Sequence, residues 1–166
     1  MKNIFTIIAL TISFSMNAQT FWFQGTGQNA IQTYNTTASG TASTAMGNGT
    51  TASGTASTAM GNGTTANGVG STAMGGTTIA SGTYSTAMGG ATTASGTYST
   101  AMGGATTASG LGSTAMGRNT TASDYGSLVI GQYNSSGSAV TSNATSFDTA
   151  NTAFVIGNGV DSSNIS

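Results

Sequence analysis

From residue 36 onward, one large apolar side chain recurs every fourteen residues in a chain built mainly of Thr, Ser, Gly and Ala. Ile130 continues the methionine series in phase, and a Gly follows each member. Columns of Thr, Ala and Ser keep the same period. The methionines are Met46, Met60, Met74, Met88, Met102 and Met116. A fixed period of this kind is typical of stacked-repeat architectures.

Fourteen residues equal two heptads, so a coiled coil is the first alternative. A coiled coil needs two apolar positions per heptad with charges beside them, which this repeat lacks, and its Gly and Thr are poor helix formers. The period instead predicts an all-β parallel β-roll (β-solenoid) with two short strands per coil, near "STAM" and "TTAS", and corners at Gly47 and Gly54. About seven coils stacked at strand spacing give a rod roughly 30 Å long.

Side chains alternate between the two faces of a strand, so the period also predicts which residues form the core. We expect the methionine series to point inward, and this choice fixes the parity of the first strand. The expected inward residues of one coil are Thr44, Met46, Thr50 and Ala52. The expected outward residues are Ser43, Ala45, Thr51 and Ser53. This parity predicts a thin core with one large side chain per coil.

The two ends of the chain depart from the period. Residues 1–18 carry Lys2, an apolar run and then small residues ending in Ala18, which indicates a secretory signal peptide. The run is shorter than the roughly 20 residues that a membrane anchor, the alternative interpretation, requires. Residues 19–35 contain Trp22 and other aromatic residues and are predicted to cap the first coil of the roll at 36–137. Residues 138–166 are expected to form a loop and a final strand near "FVIGNG".

The composition excludes several classes of function. The chain has two basic and three acidic residues and lacks Cys, His, Glu and Pro. Without an activating base or a defined carboxylate pair, we expect no enzyme activity. Without thiolates, imidazoles or repeated Asp we expect no metal site, and no cofactor or nucleic-acid binding is indicated.

The pattern S-T-A-M-G followed by small residues, with "SLVIG" at 127–131 and "FVIGNG" at 154–159, resembles the YadA-like head repeat of trimeric autotransporter adhesins. The resemblance covers about residues 36–137. It implies a left-handed parallel β-roll that packs as a trimer and binds host matrix or surface ligands. The family uses Val and Ile where this chain mostly has Thr and Met. The chain as given shows no coiled-coil stalk or membrane anchor, so we expect a fragment or a head tethered in another way.

The resemblance leads to a functional hypothesis: a secreted or outer-membrane-associated head that mediates attachment as a homotrimer. Its partner would be a surface protein or a glycan. The small Ala45 series is expected to let copies approach closely; its members are Ala45, Ala59, Ala73, Ala87, Ala101 and Ala115. Tyr84, Tyr98 and Tyr125 are interpreted as one column, either a structural aromatic ladder or part of the ligand face.

The outward T-x-S pattern supports an alternative hypothesis, ice binding. Thr and Ser hydroxyls repeating at strand spacing form a regular array that orders water. Ile79 and Asn67 interrupt that array. Its candidate residues are Thr51, Ser53, Thr93, Ser95, Thr107 and Ser109. A disordered low-complexity tract is the third alternative, but strict columns of Met and Ala argue against it, because disorder requires no phase.

Overall fold

The structure, a computed structural model, describes residues 22–134, 144–146 and 151–160. All regular secondary structure within these ranges is β-strand. The strands stack as successive coils of a β-solenoid of about seven turns. The all-β fold and the fourteen-residue coil are therefore confirmed. The predicted signal peptide at 1–18 and most of the predicted loop after 137 lie outside the described residues.

Each coil contributes one strand of five residues to a large sheet and one of two residues to a small sheet. The large sheet consists of β1 Phe23–Gln24, β2 Ile31–Gln32, β4 Thr44–Asn48, β6 Thr58–Asn62, β8 Thr72–Gly76, β10 Thr86–Gly90, β12 Thr100–Gly104, β14 Thr114–Arg118, β16 Leu128–Gln132 and β17 Phe154–Asn158. The small sheet consists of β3 Thr37–Ala38, β5 Thr51–Ala52, β7 Thr65–Ala66, β9 Ile79–Ala80, β11 Thr93–Ala94, β13 Thr107–Ala108 and β15 Thr121–Ala122.

The coils stack in parallel and in register, so equivalent repeat positions lie above one another. Met88 of β10 pairs with Met74 of β8 on one side and with Met102 of β12 on the other. In the small sheet, Thr93 pairs with Ile79 and Thr107 in the same way. The sequence columns are therefore physical columns that run along the roll.

Two glycine columns, those of Gly47 and Gly54, allow the coils to stack this closely. Gly54 lies at a bend as expected, whereas Gly47 lies within β4 and not at the predicted corner. Gly89 has φ +119°, and a Cβ added there would overlap the carbonyl group of Gly103 in the next coil. Gly96 faces the carbonyl group of Gly110 just as closely. An L side chain at either position would separate neighbouring coils, so the spacing of the stack depends on both columns.

The core consists of alanine, which corrects the parity expected for the first strand. Ala87 and Ala94 are fully buried, and the same holds for their columns in the other coils. Ser85 is also buried, whereas Thr86 and Met88 are only half-buried on the opposite face of the strand. The space between the two sheets accepts a methyl group from each side and has no room for methionine. The expectation for the second strand, with Thr50 and Ala52 inside and Thr51 and Ser53 outside, is confirmed.

Two columns of hydroxyl groups line the same core. Within the described part of the chain, these buried Oγ and Oγ1 atoms have no hydrogen-bond partner. They belong to Ser43, Ser57, Ser71, Ser85, Ser99, Ser113, Thr50, Thr64, Thr78, Thr92, Thr106 and Thr120. Because a buried hydroxyl without a partner carries a desolvation cost, the core contributes less stability than its burial suggests.

Both ends of the roll depart from the repeat. At the start, β1 pairs antiparallel with β2, and the side-chain oxygen of Gln32 accepts the Ala38 N–H at 2.9 Å. At the far end, β17 continues the large sheet by pairing with β16, with Ile156 opposite Ile130. Asp124 is buried, and its carboxylate accepts the Thr152 N–H at 2.9 Å. These contacts use side chains to satisfy backbone groups where the stack of identical coils stops.

Candidate functional site

The first candidate surface is the outward side of the large sheet, called here the Met face. It carries the column of Thr44 and the column of Met46, both half-buried along the repeats. The Thr column begins beside Ile31, which pairs with Thr44, and it ends in Leu128 and Phe154. The methionine column ends in Ile130 and the exposed Ile156. A continuous apolar strip therefore follows the whole length of the sheet.

The Met face was not predicted from the sequence, because the expected parity placed the methionines in the core and the Ala45 series outside. The structure buries the whole Ala45 series within the roll, so these alanines cannot mediate contact between copies. The sequence of β16 could have indicated the correct parity. There Val129 continues the alanine column and is buried, while Ile130 continues the methionine column. In the alanine–methionine pairs and in the Val129–Ile130 pair alike, the larger side chain lies on the outer face.

The second candidate surface is the outward side of the small sheet, called here the Thr-Ser face. The structure places its predicted residues in register on one surface: Thr51, Ser53, Thr93, Ser95, Thr107 and Ser109. Ile79 is exposed in the threonine column. Ser53 donates a hydrogen bond from its hydroxyl to the Asn67 side-chain oxygen at 2.6 Å. These two features break the hydroxyl array in the middle of the roll.

The third candidate surface is a corner of the coil that carries two stacked tyrosines. The rings of Tyr84 and Tyr98 are 5.7 Å apart between centroids and 4° from parallel. More than half of each side chain is exposed. We call this pair the Tyr platform.

Tyr125 does not belong to this column, which corrects the prediction of three aligned tyrosines. The Tyr98 N–H donates to the Thr83 carbonyl of the preceding coil, and in the same way the Gly126 N–H donates to the Leu111 carbonyl. Gly126 is thus the structural equivalent of Tyr98, and Tyr125 stands one position earlier, in the column of Leu111. The stack contains two tyrosines because Gly112 and Gly126 occupy the next two places.

The fourth candidate surface is apolar and lies at the start of the roll. Phe23 and Ile31, on the antiparallel strands β1 and β2, leave a shallow cavity of about 570 Å³ beside Trp22. Trp22, Phe23 and Ile31 are all exposed. The described residues at the start of the roll therefore present an exposed aromatic surface.

Charge plays little part at any of these surfaces. Arg118 and Asp124 are the charged residues within the described ranges. The Arg118 guanidinium lies over the Tyr133 ring, 5.6 Å from its centroid. In the described ranges, no group of three His, Cys, Asp or Glu side chains is placed to hold a metal ion. The same ranges contain no helix with the length and apolar character needed to cross a membrane.

Comparison with protein families identifies the repeat. The family described as YadA head domain repeat (2 copies) matches residues 34–50, 38–64, 52–78, 80–106 and 108–134. These matches cover more than half of the chain and coincide with the stacked coils. No curated protein matches the chain.

Proposed function

Because the chain belongs to the family of YadA head domain repeats, we propose that it is the non-catalytic head of a homotrimeric adhesin, exported to the cell surface or secreted. Adhesin-like surface modules of this family are trimeric in general. The trimer, the export and the attachment of this particular chain are parts of the proposal.

The Met face carries the argument for assembly. It is a strip of half-buried methionine and threonine that one roll cannot cover, extended at its ends by Ile31, Phe154 and Ile156. A contiguous apolar strip along one sheet supports the proposal of an interaction site there. A net charge of −1 over the whole chain offers little repulsion between copies. Three rolls packed through their Met faces bury the strip and leave the Thr-Ser face and the corners directed outward.

Attachment is then a property of the outward surfaces. The candidate residues are Tyr84, Tyr98 and, displaced by one position, Tyr125, together with Thr51, Ser53, Thr93, Ser95, Thr107 and Ser109. A trimer presents each of these surfaces three times. Multivalent presentation raises the strength of attachment well above that of one site.

The proposal is favoured over ice binding by the interruptions of the Thr-Ser face. An ice-binding surface requires a regular array, and Ile79 and the Ser53–Asn67 hydrogen bond disturb it in the central coils. A measurement of thermal hysteresis separates the two functions. We expect ice crystals in a solution of the chain to grow without a hysteresis gap, and a clear gap would instead support the ice-binding alternative.

The test of the proposed function has two parts. Light scattering on the chain lacking residues 1–18 should give three times the chain mass at micromolar concentration. Fluorescently labelled protein should also be retained on at least one of four surfaces: collagen, fibronectin, laminin or fixed epithelial cells. A stable folded monomer would contradict the trimer, and retention on none of the four surfaces would contradict the attachment function.

A further inference from the structure

The fold does not require tyrosine at the Tyr platform. Tyr84 and Tyr98 have φ values of 55° and 59°, in the left-handed region that bulky residues disfavour. The same corner is closed elsewhere by small residues with φ between 55° and 67°: Ala42, Ala56, Gly70, Gly112 and Gly126. Two consecutive coils therefore place a large side chain where the other coils form the same turn with Gly or Ala. Strain of this kind at an exposed position is a reason to look for a function.

The stack leans toward the N-terminal end of the roll. A Cβ added at Gly70 would come within 2.5 Å of the Tyr84 Cδ1 atom, so the Tyr84 ring covers Gly70. The Tyr98 ring stacks against Tyr84 from the next coil. Beyond Tyr98 the column continues with Gly112, where an added Cβ would meet no atom of the described residues within 4 Å. Next to it, the Leu111 N–H donates to the Ala144 carbonyl at 2.7 Å. Among the described residues, the second face of the Tyr98 ring therefore borders Gly112, which carries no side chain.

We propose that this face of Tyr98 binds the ring of a neutral sugar, which makes the Tyr platform a glycan site of the head. The inference rests on the proposed function and names its ligand class. The C–H groups on one side of a pyranose ring carry partial positive charge and are attracted to the electron-rich face of an aromatic ring. Tyr84 holds the Tyr98 ring parallel to itself, and the half-exposed Thr83 and Thr97 directly precede the two tyrosines in the chain.

The surroundings of the platform select against a charged ligand. Of the two charged residues in the described ranges, Asp124 is buried. Arg118 occupies the position equivalent to Gly104, at the other end of the large-sheet strand from the tyrosines. Within the described ranges, a ligand at the platform therefore meets an aromatic face with threonine residues beside it, groups that recognise a neutral saccharide.

The shape of the platform favours a sugar over a peptide. Aromatic sites for extended peptides are grooves that hold several successive residues. The Tyr platform lies on a convex corner and offers one ring face, which matches one sugar ring. A single contact of this size is weak, and three platforms on one head compensate through multivalency.

Saturation-transfer NMR with the assembled chain tests the inference, using cellohexaose, chitohexaose and mannohexaose as three neutral probes. The decisive variant is Tyr98→Gly, which reproduces the corner found at Gly112 and should leave the roll folded. Tyr34→Ala is the matched control, because it removes an exposed tyrosine far from the platform. We expect at least one hexasaccharide to bind, Tyr98→Gly to weaken that binding by about tenfold or more, and Tyr34→Ala to leave it unchanged.

Two results would overturn the inference. One is the absence of binding to all three probes at about 10 mM. The other is equal binding by the wild type and Tyr98→Gly. Retention on gelatin that depends on Tyr98, without sugar binding, would assign the platform to a proline-rich protein and also overturn the glycan site.

The same variants separate this inference from the proposed function. If attachment to cells persists after enzymatic removal of their glycans and in Tyr98→Gly, while no hexasaccharide binds, the head is an adhesin and the glycan site is wrong. If hexasaccharides bind in a Tyr98-dependent manner but the chain is retained on no surface, the site stands and the adhesin function is wrong.

Discussion

Asn134 closes the small sheet by holding both backbone groups of Thr121. Its side-chain oxygen accepts the Thr121 N–H at 2.7 Å, and its amide nitrogen donates to the Thr121 carbonyl at 3.0 Å. In earlier coils the corresponding N–H donates to a backbone carbonyl of the next coil, as Thr93 does to Thr106 at 2.8 Å. The side chain of Asn134 therefore replaces the strand that a further coil would supply.

Asn134→Ala tests this cap. The substitution leaves two backbone groups at the edge of β15 without their side-chain partner, and we expect the free energy of unfolding to fall by about 2 kcal/mol. Urea denaturation followed by circular dichroism measures the change. Asn62→Ala, at an exposed position that the next coil fills with Gly76, should have little effect. Equal stability of the two variants would show that the Asn134 amide is not a structural cap.

The corrected parity predicts opposite outcomes for two neighbouring residues. Ala87→Asp places an unpaired charge in the filled space between the sheets, and a cost above about 4 kcal/mol should prevent folding. Met88→Asp places the charge on the half-exposed Met face, so the coil should still fold while the trimer dissociates. Circular dichroism and light scattering separate these outcomes. A trimeric Met88→Asp variant would exclude the Met face as the interface.

The two glycines at the end of β10 provide a matched pair. Gly89→Ala meets both a φ of +119° and the carbonyl of Gly103, and we expect it to destabilise the roll by more than about 2 kcal/mol. Gly90→Ala meets no atom within 4 Å, and Asn62 or Arg118 stands at this position in other coils. It should be nearly neutral in thermal unfolding. Similar melting temperatures for both variants would contradict the close approach of the coils.

The buried hydroxyl columns predict a gain in stability. Thr92→Val keeps the shape of the side chain and removes an Oγ1 atom that has no hydrogen-bond partner within the described part of the chain. We expect the free energy of unfolding to rise by about 1 kcal/mol. Thr93→Val, on the outward side of the same strand, is the control and should change stability little. A loss of stability in Thr92→Val would show that the hydroxyl makes an interaction in solution.

The period and composition were sufficient to predict the coil, its two strands and its stacking, because the columns between residues 36 and 131 repeat without a change of phase. The parity of the first strand was not predictable from alternation alone, since Ala87 and Met88 are both apolar and lie on opposite faces. Side-chain volume decides between them, and the width of the coil interior becomes known only once both sheets are in place. The stacking of Tyr84 on Tyr98 could be predicted from their spacing of fourteen residues. Which face of the Tyr98 ring borders Gly112 could not, because it depends on the direction in which the rings lean.

Because the columns are in register, the number of coils can change without a change in how neighbouring strands pair. Met74, Met88 and Met102 occupy equivalent positions in the sheet, so the removal or duplication of one fourteen-residue unit changes the height by one strand spacing and preserves the in-register pairing of the other strands. Because the coils are so similar, few side chains of the repeats specify which coil stacks on which during folding. The side-chain partners at the two ends, Gln32 with Ala38 and Asn134 with Thr121, differ from those of the repeated coils and mark where the stack begins and ends. The number of repeats can therefore vary while the strand pairing stays the same, and the side chains at the two ends define the first and the last coil.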